Sequence, residues 1–190
     1  MDTRQETANK SFDKLVFEVD QQSKSYTNCK FNSCKFIESL MQNAKFSECE
    51  FNSCMLSNLS LEKARFTQVS FKGCKLSALK FYQLDSLLLS FHFEDCVLIG
   101  CSFSGLQITK TNFINCQIKE CDFIETNLAS SNFQASNLKG SKFHHCNLRM
   151  VNFLEATNLQ IDPLNNDLKK AVFDSVNAIN LLHYLDITIK

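Results

Sequence analysis

The chain has no tryptophan, one proline and only four glycines among its 190 residues. Isolated tight hairpins demand positive φ, and the scarcity of Gly and Pro fits corners of another kind. The corners are expected to recur with the fold without depending on positive φ. Net charge is missing as well: 20 Lys and Arg balance 20 Asp and Glu. That balance removes any global argument for a basic nucleic-acid surface or an acidic mimic. No apolar run approaches the roughly 20 residues that span a bilayer as a helix. Met1 to Lys10 hold no apolar stretch of the kind a secretory signal needs. The expectation is a soluble cytoplasmic protein with no membrane contact and no direct nucleic-acid binding. Catalytic motifs are absent in turn: no GxSxG elbow, no phosphate-cradling glycine loop, no HExxH pair. The chain reads as non-enzymatic, with no cofactor and no metal.

What is present is a beat of five. From Phe93 every fifth residue is large and apolar: Phe93, Leu98, Phe103, Ile108, Phe113, Ile118, Phe123, Leu128, Phe133, Leu138, Phe143, Leu148 and Phe153. Helices and strands repeat their side chains at about 3.6 and 2 residues. A period of five fits neither. It fits short segments that turn a corner after each inward side chain, which makes the chain a solenoid. An earlier series runs from Tyr26 through Phe31, Phe36, Met41, Phe46, Phe51, Leu56, Leu61, Phe66, Phe71 and Leu76 to Phe81. Counting on reaches Ser86, and the second series starts twelve residues after Phe81. Two residues are therefore inserted near Asp85 to Ser90, where a bulge or short loop is expected, with Leu87-Leu88-Leu89 packed into the seam.

The ten cysteines obey the same beat. Cys29, Cys34, Cys49, Cys54, Cys74, Cys96, Cys101, Cys116, Cys121 and Cys146 each stand two residues before a central apolar residue. Ala44, Ala64, Ser39, Thr111, Thr126, Ser131, Ser136 and Ser141 fill other copies of that slot. A slot shared by Cys, Ala, Ser and Thr wants a small buried side chain. The zinc-like spacing of pairs such as Cys116 and Cys121 restates the repeat. His144-His145-Cys146 looks like a metal cluster only in one dimension, because the histidines fall at outward corner positions.

Units such as Thr126-Asn127-Leu128, Ser131-Asn132-Phe133, Ser136-Asn137-Leu138 and Cys146-Asn147-Leu148 resemble the pentapeptide-repeat family. The resemblance covers roughly residues 24 to 159. It implies an all-β fold, a right-handed quadrilateral β-helix, here with a short C-terminal α-helix. Four pentapeptides make one coil, so residues twenty apart stack. Phe93, Phe113, Phe133 and Phe153 then form one core column and Phe103, Phe123 and Phe143 the opposite one, with Leu and Ile on the other two walls. Asn112, Asn132 and Asn152 are expected to form a stacked amide ladder. The 25 central positions make about six coils, or roughly 30 Å of rod at about 4.7–4.9 Å per strand.

The expected layout is one domain: an N-terminal segment and cap over 1–23, a first stack over 24–84, a register break over 85–92, a second stack over 93–159 and a C-terminal cap and dimerisation helix over 160–190. Phe12, Leu15 and Phe17 are expected in an irregular first coil or cap. Asp162-Pro163 marks a turn, Phe173 gives one last inward residue, and Asp174 or Ser175 caps the helix. Val176, Ile179, Leu182 and Leu185 recur every three residues as an apolar stripe, and Asp186 to Ile189 alternates like a strand. The surplus of apolar groups predicts a homodimer through Ile179, Leu181, Leu182, Leu185, Ile187 and Ile189. The alternative is a monomer whose helix only plugs the stack.

The tail, from Thr157-Asn158-Leu159-Gln160-Ile161-Asp162-Pro163 to Phe173 and Leu181-Leu182, is similar to the endings of the subgroup that holds the quinolone-resistance (Qnr) proteins and the microcin and albicidin immunity proteins. The resemblance implies a homodimer acting on DNA gyrase, and sometimes topoisomerase IV, to relieve poisoning. The zero net charge departs from the acidic DNA-mimic model, and neither stack carries a sizeable inserted loop. A neutral-surfaced scaffold for an unrelated protein partner stands as the alternative.

Overall fold

The computed structural model describes residues 6–17, 21–38, 40–185 and 187. The backbone runs in short strands, three per coil where the strands are regular. These are β1 (Glu6–Ala8), β2 (Ser11–Asp13) and β3 (Val16–Phe17); β4 (Ser25–Thr27), β5 (Lys30–Asn32) and β6 (Lys35–Ile37); β7 (Lys45–Ser47), β8 (Glu50–Asn52) and β9 (Met55–Ser57); β10 (Arg65–Thr67), β11 (Val69–Lys72) and β12 (Lys75–Ser77). β13 (Phe91–Glu94), β14 (Val97–Ile99), β15 (Phe113–Ile114) and β16 (Gln117–Lys119) follow, and α1 (Ser175–Leu182) closes the chain. All pairing is parallel, in three ladders: β1-β4-β7-β10, β2-β5-β8-β11-β13-β15 and β3-β6-β9-β12-β14-β16. Isolated bridges such as Ser102↔Asp122↔Lys142 continue the rungs where strands become too short to name. The result is a right-handed quadrilateral β-helix ending in one short helix.

The four faces can be numbered by their inward residues. The first holds Met41, Leu61, Phe81, Phe103, Phe123 and Phe143. The second starts at Tyr26, Phe46 and Phe66, the third at Phe12, Phe31 and Phe51, and the fourth at Phe17, Phe36 and Leu56. On the third face nine rings stack in one pile from Phe12 to Phe173, with centroids 4.7–5.4 Å apart. The second aromatic wall changes sides. Below the insertion it is the second face, where Tyr26 lies 5.1 Å from Phe46 and Phe46 lies 5.4 Å from Phe66. Above it the wall is the first face, where Phe81, Phe103, Phe123 and Phe143 stack at 4.5–5.0 Å. Each ring buried here contributes roughly 1.5–3 kcal/mol.

The first coil is regular, contrary to the irregular coil expected for Phe12 to Phe17. Strands β1 to β3 pair with β4 to β6 at a spacing of nineteen residues, Thr7 opposite Tyr26, Phe12 opposite Phe31 and Phe17 opposite Phe36. The shortfall of one residue is followed by Gln21, a polar side chain in an inward position. Gln21 is buried, and its Oε1 accepts from the Tyr26 hydroxyl at 2.7 Å. At the insertion the spacing becomes 22, with Phe71 opposite Phe93 and Leu76 opposite Leu98. Repeats also persist past Phe153: Leu168 packs on the core, and Phe173 stacks on Phe153 at 5.2 Å.

Positive φ, expected to be dispensable, is needed at almost every corner. The four glycines and 26 other described residues have φ between 50° and 74°. They stand two after the central residue, from Asn28 to Glu155. Where the next slot's N–H bonds back to the central carbonyl, as from Ser136 to Phe133 at 3.1 Å, this is the type II turn, which requires positive φ at its third residue. Lys, Glu, Ser, Asn, Ala, His145 and even Met150 accept it, but among the described residues no Val, Ile, Thr, Phe or Tyr does. Those side chains are the ones that the left-handed region penalises most.

Candidate functional site

The reactive groups lie in the wall of the rod. All ten cysteines are buried and free. Their slot has a polar task, because the inward corner leaves backbone groups unpaired. Cys54 Sγ donates to Phe31 O at 3.0 Å and Cys74 Sγ to Phe51 O at 3.1 Å. Ser136 Oγ donates to Phe113 O at 2.6 Å and accepts from Cys116 N at 2.8 Å. A thiol or hydroxyl thus bridges neighbouring rungs, which explains why Cys, Ser and Thr share the position. Asn166 does the same one rung above Cys146, accepting from Cys146 N and donating to Phe143 O. Burial pushes the Cys49 thiol up to about 11 and raises Cys34 and Cys146. Hydrogen bonds from Cys54 and Cys96, together with burial, push Cys74 up. Hydrogen bonds from neighbouring thiols shift Cys54, Cys96 and Cys101 the other way, so burial, which shields all ten from reagent, is what makes them poor nucleophiles. An aromatic disulfide reagent is therefore expected to leave the native protein untouched and to titrate all ten thiols once it is denatured. Rapid labelling of any one in the native state would contradict this role.

No group of three or more His, Cys, Asp or Glu arranged for a metal occurs among the described residues. His144 and His145 are exposed with ring centroids 4.0 Å apart, while Cys146 turns inward and donates to Phe123 O. The amide ladder expected of Asn112, Asn132 and Asn152 is not an amide-to-amide chain. Asn132 Oδ1 and Asn152 Oδ1 accept from the backbone of Gln134 and Leu154, two residues on. Side-chain rungs form elsewhere, as between Asn52 and Asn32 at 3.1 Å and between Asn127 and Gln107 at 2.9 Å.

Five ion pairs among the described residues join charges on neighbouring rungs. Lys30–Glu50 and Lys72–Glu94 at 3.1 Å lie on the third face, Arg65–Asp85 at 2.8 Å and Arg149–Asp167 at 3.2 Å on the second, and Lys142–Asp122 at 3.8 Å on the first. Each joins one coil to the next, so no described face carries an uninterrupted acidic row.

The inserted loop breaks the polar surface. Leu87 and Leu88, expected in the seam, are 56% and 73% exposed, and only Leu89 packs on the core. Leu88 sits at a left-handed corner and faces outward. The inward slot before Phe93, opposite Val69 on the neighbouring rung, is filled by Phe91, a fully buried ring 5.4 Å from Phe81 and 5.4 Å from Phe93. The loop is pinned by Asp85, which accepts from Leu87 N at 2.9 Å and from Arg65 Nε at 2.8 Å. The Leu87 N–H and then the Arg65 guanidinium hold the Asp85 carboxyl below its usual range.

At the far end, Asp174 caps α1 by accepting from Asn177 N at 2.9 Å. The helix faces the coil with Asn177 and Leu181. Asn177 is buried and donates to Ala156 O at 2.8 Å, and Leu181 packs against the core. Leu181 therefore leaves the expected interface set. The stripe faces out instead: Val176 is 70%, Ile179 51%, Leu185 42% and Ile187 55% exposed, with Leu182 partly covered. Ile189 lies outside the described residues, as does Ser39. Between the helix and the last coils runs a groove of about 550 Å³ lined by Lys139, Asn158, His183 and Tyr184 among others. The Asn177 N–H and side chain hold the Asp174 carboxyl below its usual range. A depressed carboxyl stabilises above its unfolded pKa and loses that contribution as pH falls through its folded value. The cap is therefore expected to open in acid below about pH 4, and Asp174→Ala is expected to bring the same fraying to neutral pH. Faster amide exchange confined to residues 175–185 is the readout, and unchanged exchange there would count against it.

The pentapeptide repeat region family model matches residues 24–92 and 86–162. Among solved structures, HetL, a pentapeptide repeat protein involved in heterocyst differentiation regulation from the cyanobacterium Nostoc sp. strain PCC 7120, is 11% identical. The match covers 89% of this chain and 74% of HetL with a TM-score of 0.54. A trypsin-treated variant of QnrB1, a plasmid-mediated fluoroquinolone resistance protein, is 17% identical over 96% of this chain and 99% of its own, with a TM-score of 0.48. Full-length QnrB1 is 15% identical over 96% and 100%, with a TM-score of 0.38. No curated protein matches.

Proposed function

The chain belongs to the pentapeptide-repeat family, and on that premise we propose that it is a non-enzymatic scaffold whose outer faces bind another protein. One observation carries this reading above the others. Every thiol is spent on architecture, while apolar side chains that would stabilise the core stand outside it, Leu88 at the insertion and Val176 and Ile179 on the helix. Exposed apolar groups on a rigid frame are what a protein interface needs at its centre. The same helix face supports self-association of two protomers through Ile179, Leu182, Leu185 and Ile187.

The second reading is protection of a type II topoisomerase, DNA gyrase or topoisomerase IV, against quinolone or peptide-toxin poisoning. It is favoured by the tail residues Thr157 to Pro163 and by the exposed helix that follows. The rung-to-rung ion pairs weigh against an acidic DNA mimic. A gyrase supercoiling assay with a fluoroquinolone separates the two readings. The scaffold reading expects no protection and no gyrase binding at high protein concentration, whereas restored supercoiling would establish the topoisomerase reading in its place.

A further inference from the structure

The fourth face differs from the other three in having no described carboxylate on its flat. Among the described residues its flat carries four lysines, Lys35, Lys75, Lys119 and Lys139, and no carboxylate. Glu38 and Glu120 stand at its corner, at left-handed positions, so the face sums to 4 − 2 = +2 over the described residues. The first three faces each contain carboxylates on the flat, and the five ion pairs among the described residues lie there. The four lysines enter none of them.

Apolar side chains are interleaved with these lysines. Strand pairing sets Val16, Lys35, Met55, Lys75 and Val97 in one row across β3, β6, β9, β12 and β14. Ile37 and Ile99 stand in the parallel row on the other side of the central residues. Val16 is 51%, Ile37 38% and Met55 37% exposed. With rungs about 4.8 Å apart, Lys35 and Lys75 are separated by roughly 10 Å, with Met55 between them. The ladder is six strands long. Its upper end, at Lys139, opens into the groove beside Tyr184.

We infer that this lysine and aliphatic ladder is the docking face of the scaffold, and that its partner is an acidic protein surface with carboxylates set around an apolar centre. The inference rests on the scaffold reading and names the chemistry of its partner. Charge complementarity selects an anionic partner, since the four lysines enter no ion pair among the described residues and no described carboxylate on the flat competes with them. The aliphatic rows select protein over nucleic acid. Phosphates gain nothing from Val16, Ile37 or Met55, and the face has no arginine fork and no aromatic platform among its described residues.

A fluorescent peptide alternating Glu and Val is the first probe, with duplex DNA and phosphatidylglycerol vesicles as the anionic alternatives. The peptide is expected to bind and to weaken as salt rises. Joint substitution of Lys35→Glu, Lys75→Glu, Lys119→Glu and Lys139→Glu is expected to weaken it by about tenfold or more. The matching change at Lys63, Lys80, Lys110 and Lys169, on other faces, is expected to leave it nearly unchanged. Met55→Ser tests the apolar part and should weaken the peptide without altering the salt dependence. Unchanged thermal unfolding of each variant separates lost binding from lost fold. Absence of peptide binding, equal loss in both lysine sets, or tighter binding of DNA or vesicles through this face would each overturn the inference. Cross-links to a protein partner from Leu88 or Ile179, with the fourth face silent, would overturn it while leaving the scaffold reading standing.

Discussion

Phe113→Ala is expected to lower the free energy of unfolding by about 3–5 kcal/mol. The ring is fully buried and stacked between Phe93 at 5.1 Å and Phe133 at 4.7 Å. It also meets Phe103 and Phe123 edge-on at 5.6 and 5.8 Å. The rungs above and below are fixed by backbone bonds, Phe93 N to Asn112 O at 2.8 Å and Phe113 N to Asn132 O at 2.7 Å. The wall cannot move in to fill the void, so the cavity penalty is felt in full. A solenoid couples each coil chiefly to its neighbours, and amide exchange should rise in the rungs around residue 113 before the ends of the rod respond. Phe173→Ala, at the partly covered end of the same pile, should cost clearly less. Equal losses at the two sites would mean that the pile does not behave as a column.

Ile179→Asp is expected to convert a dimer to a monomer without unfolding it. Ile179 is 51% exposed in the protomer, so a carboxylate there meets water when the chain is alone. In a paired helix face the same carboxylate is buried without a partner, at a cost of about 3 kcal/mol or roughly a hundredfold in dissociation constant. Leu182→Asp should act in the same direction, although Leu182 is already partly covered and that change also perturbs the protomer. Sedimentation equilibrium over a range of concentrations reads the result. A wild type that is monomeric throughout would refute the pairing, and an Ile179→Asp protein that remains dimeric would place the interface elsewhere.

The beat of five made the rod legible because a central residue points inward on whichever face it falls. That held for Phe93 as for Leu98, and the small slot before each explained the cysteines. Other features were hidden for identifiable reasons. The left-handed corners are signalled only by an exclusion, the lack of Val, Ile, Thr, Phe and Tyr at described positions otherwise as varied as Glu48, Lys63 and Met150. Gln21 concealed the first coil because an inward position had become polar, satisfied by the Tyr26 hydroxyl. At the insertion, composition alone offered several apolar residues for one space. Phe91 goes inward because the register sets it opposite the buried Val69, whereas Leu88 falls at a left-handed corner. The helix misled in a similar way. Its periodic apolar stripe was visible, but the inward face is set by Asn177, whose amide satisfies the carbonyl of Ala156 at the open end of the coil.

The central claim is that the interior is architecture and the outside is the working part. A photo-cross-linking scan in cells tests it most directly, with a benzophenone side chain placed singly at Met55, Leu88, Ser70, Tyr82 and Ile179, all on the outside of the fold. The account predicts covalent adducts to a second protein from Met55, on the lysine-bearing face, and to a second copy of the chain from Ile179. Adducts from none of the five positions would contradict it.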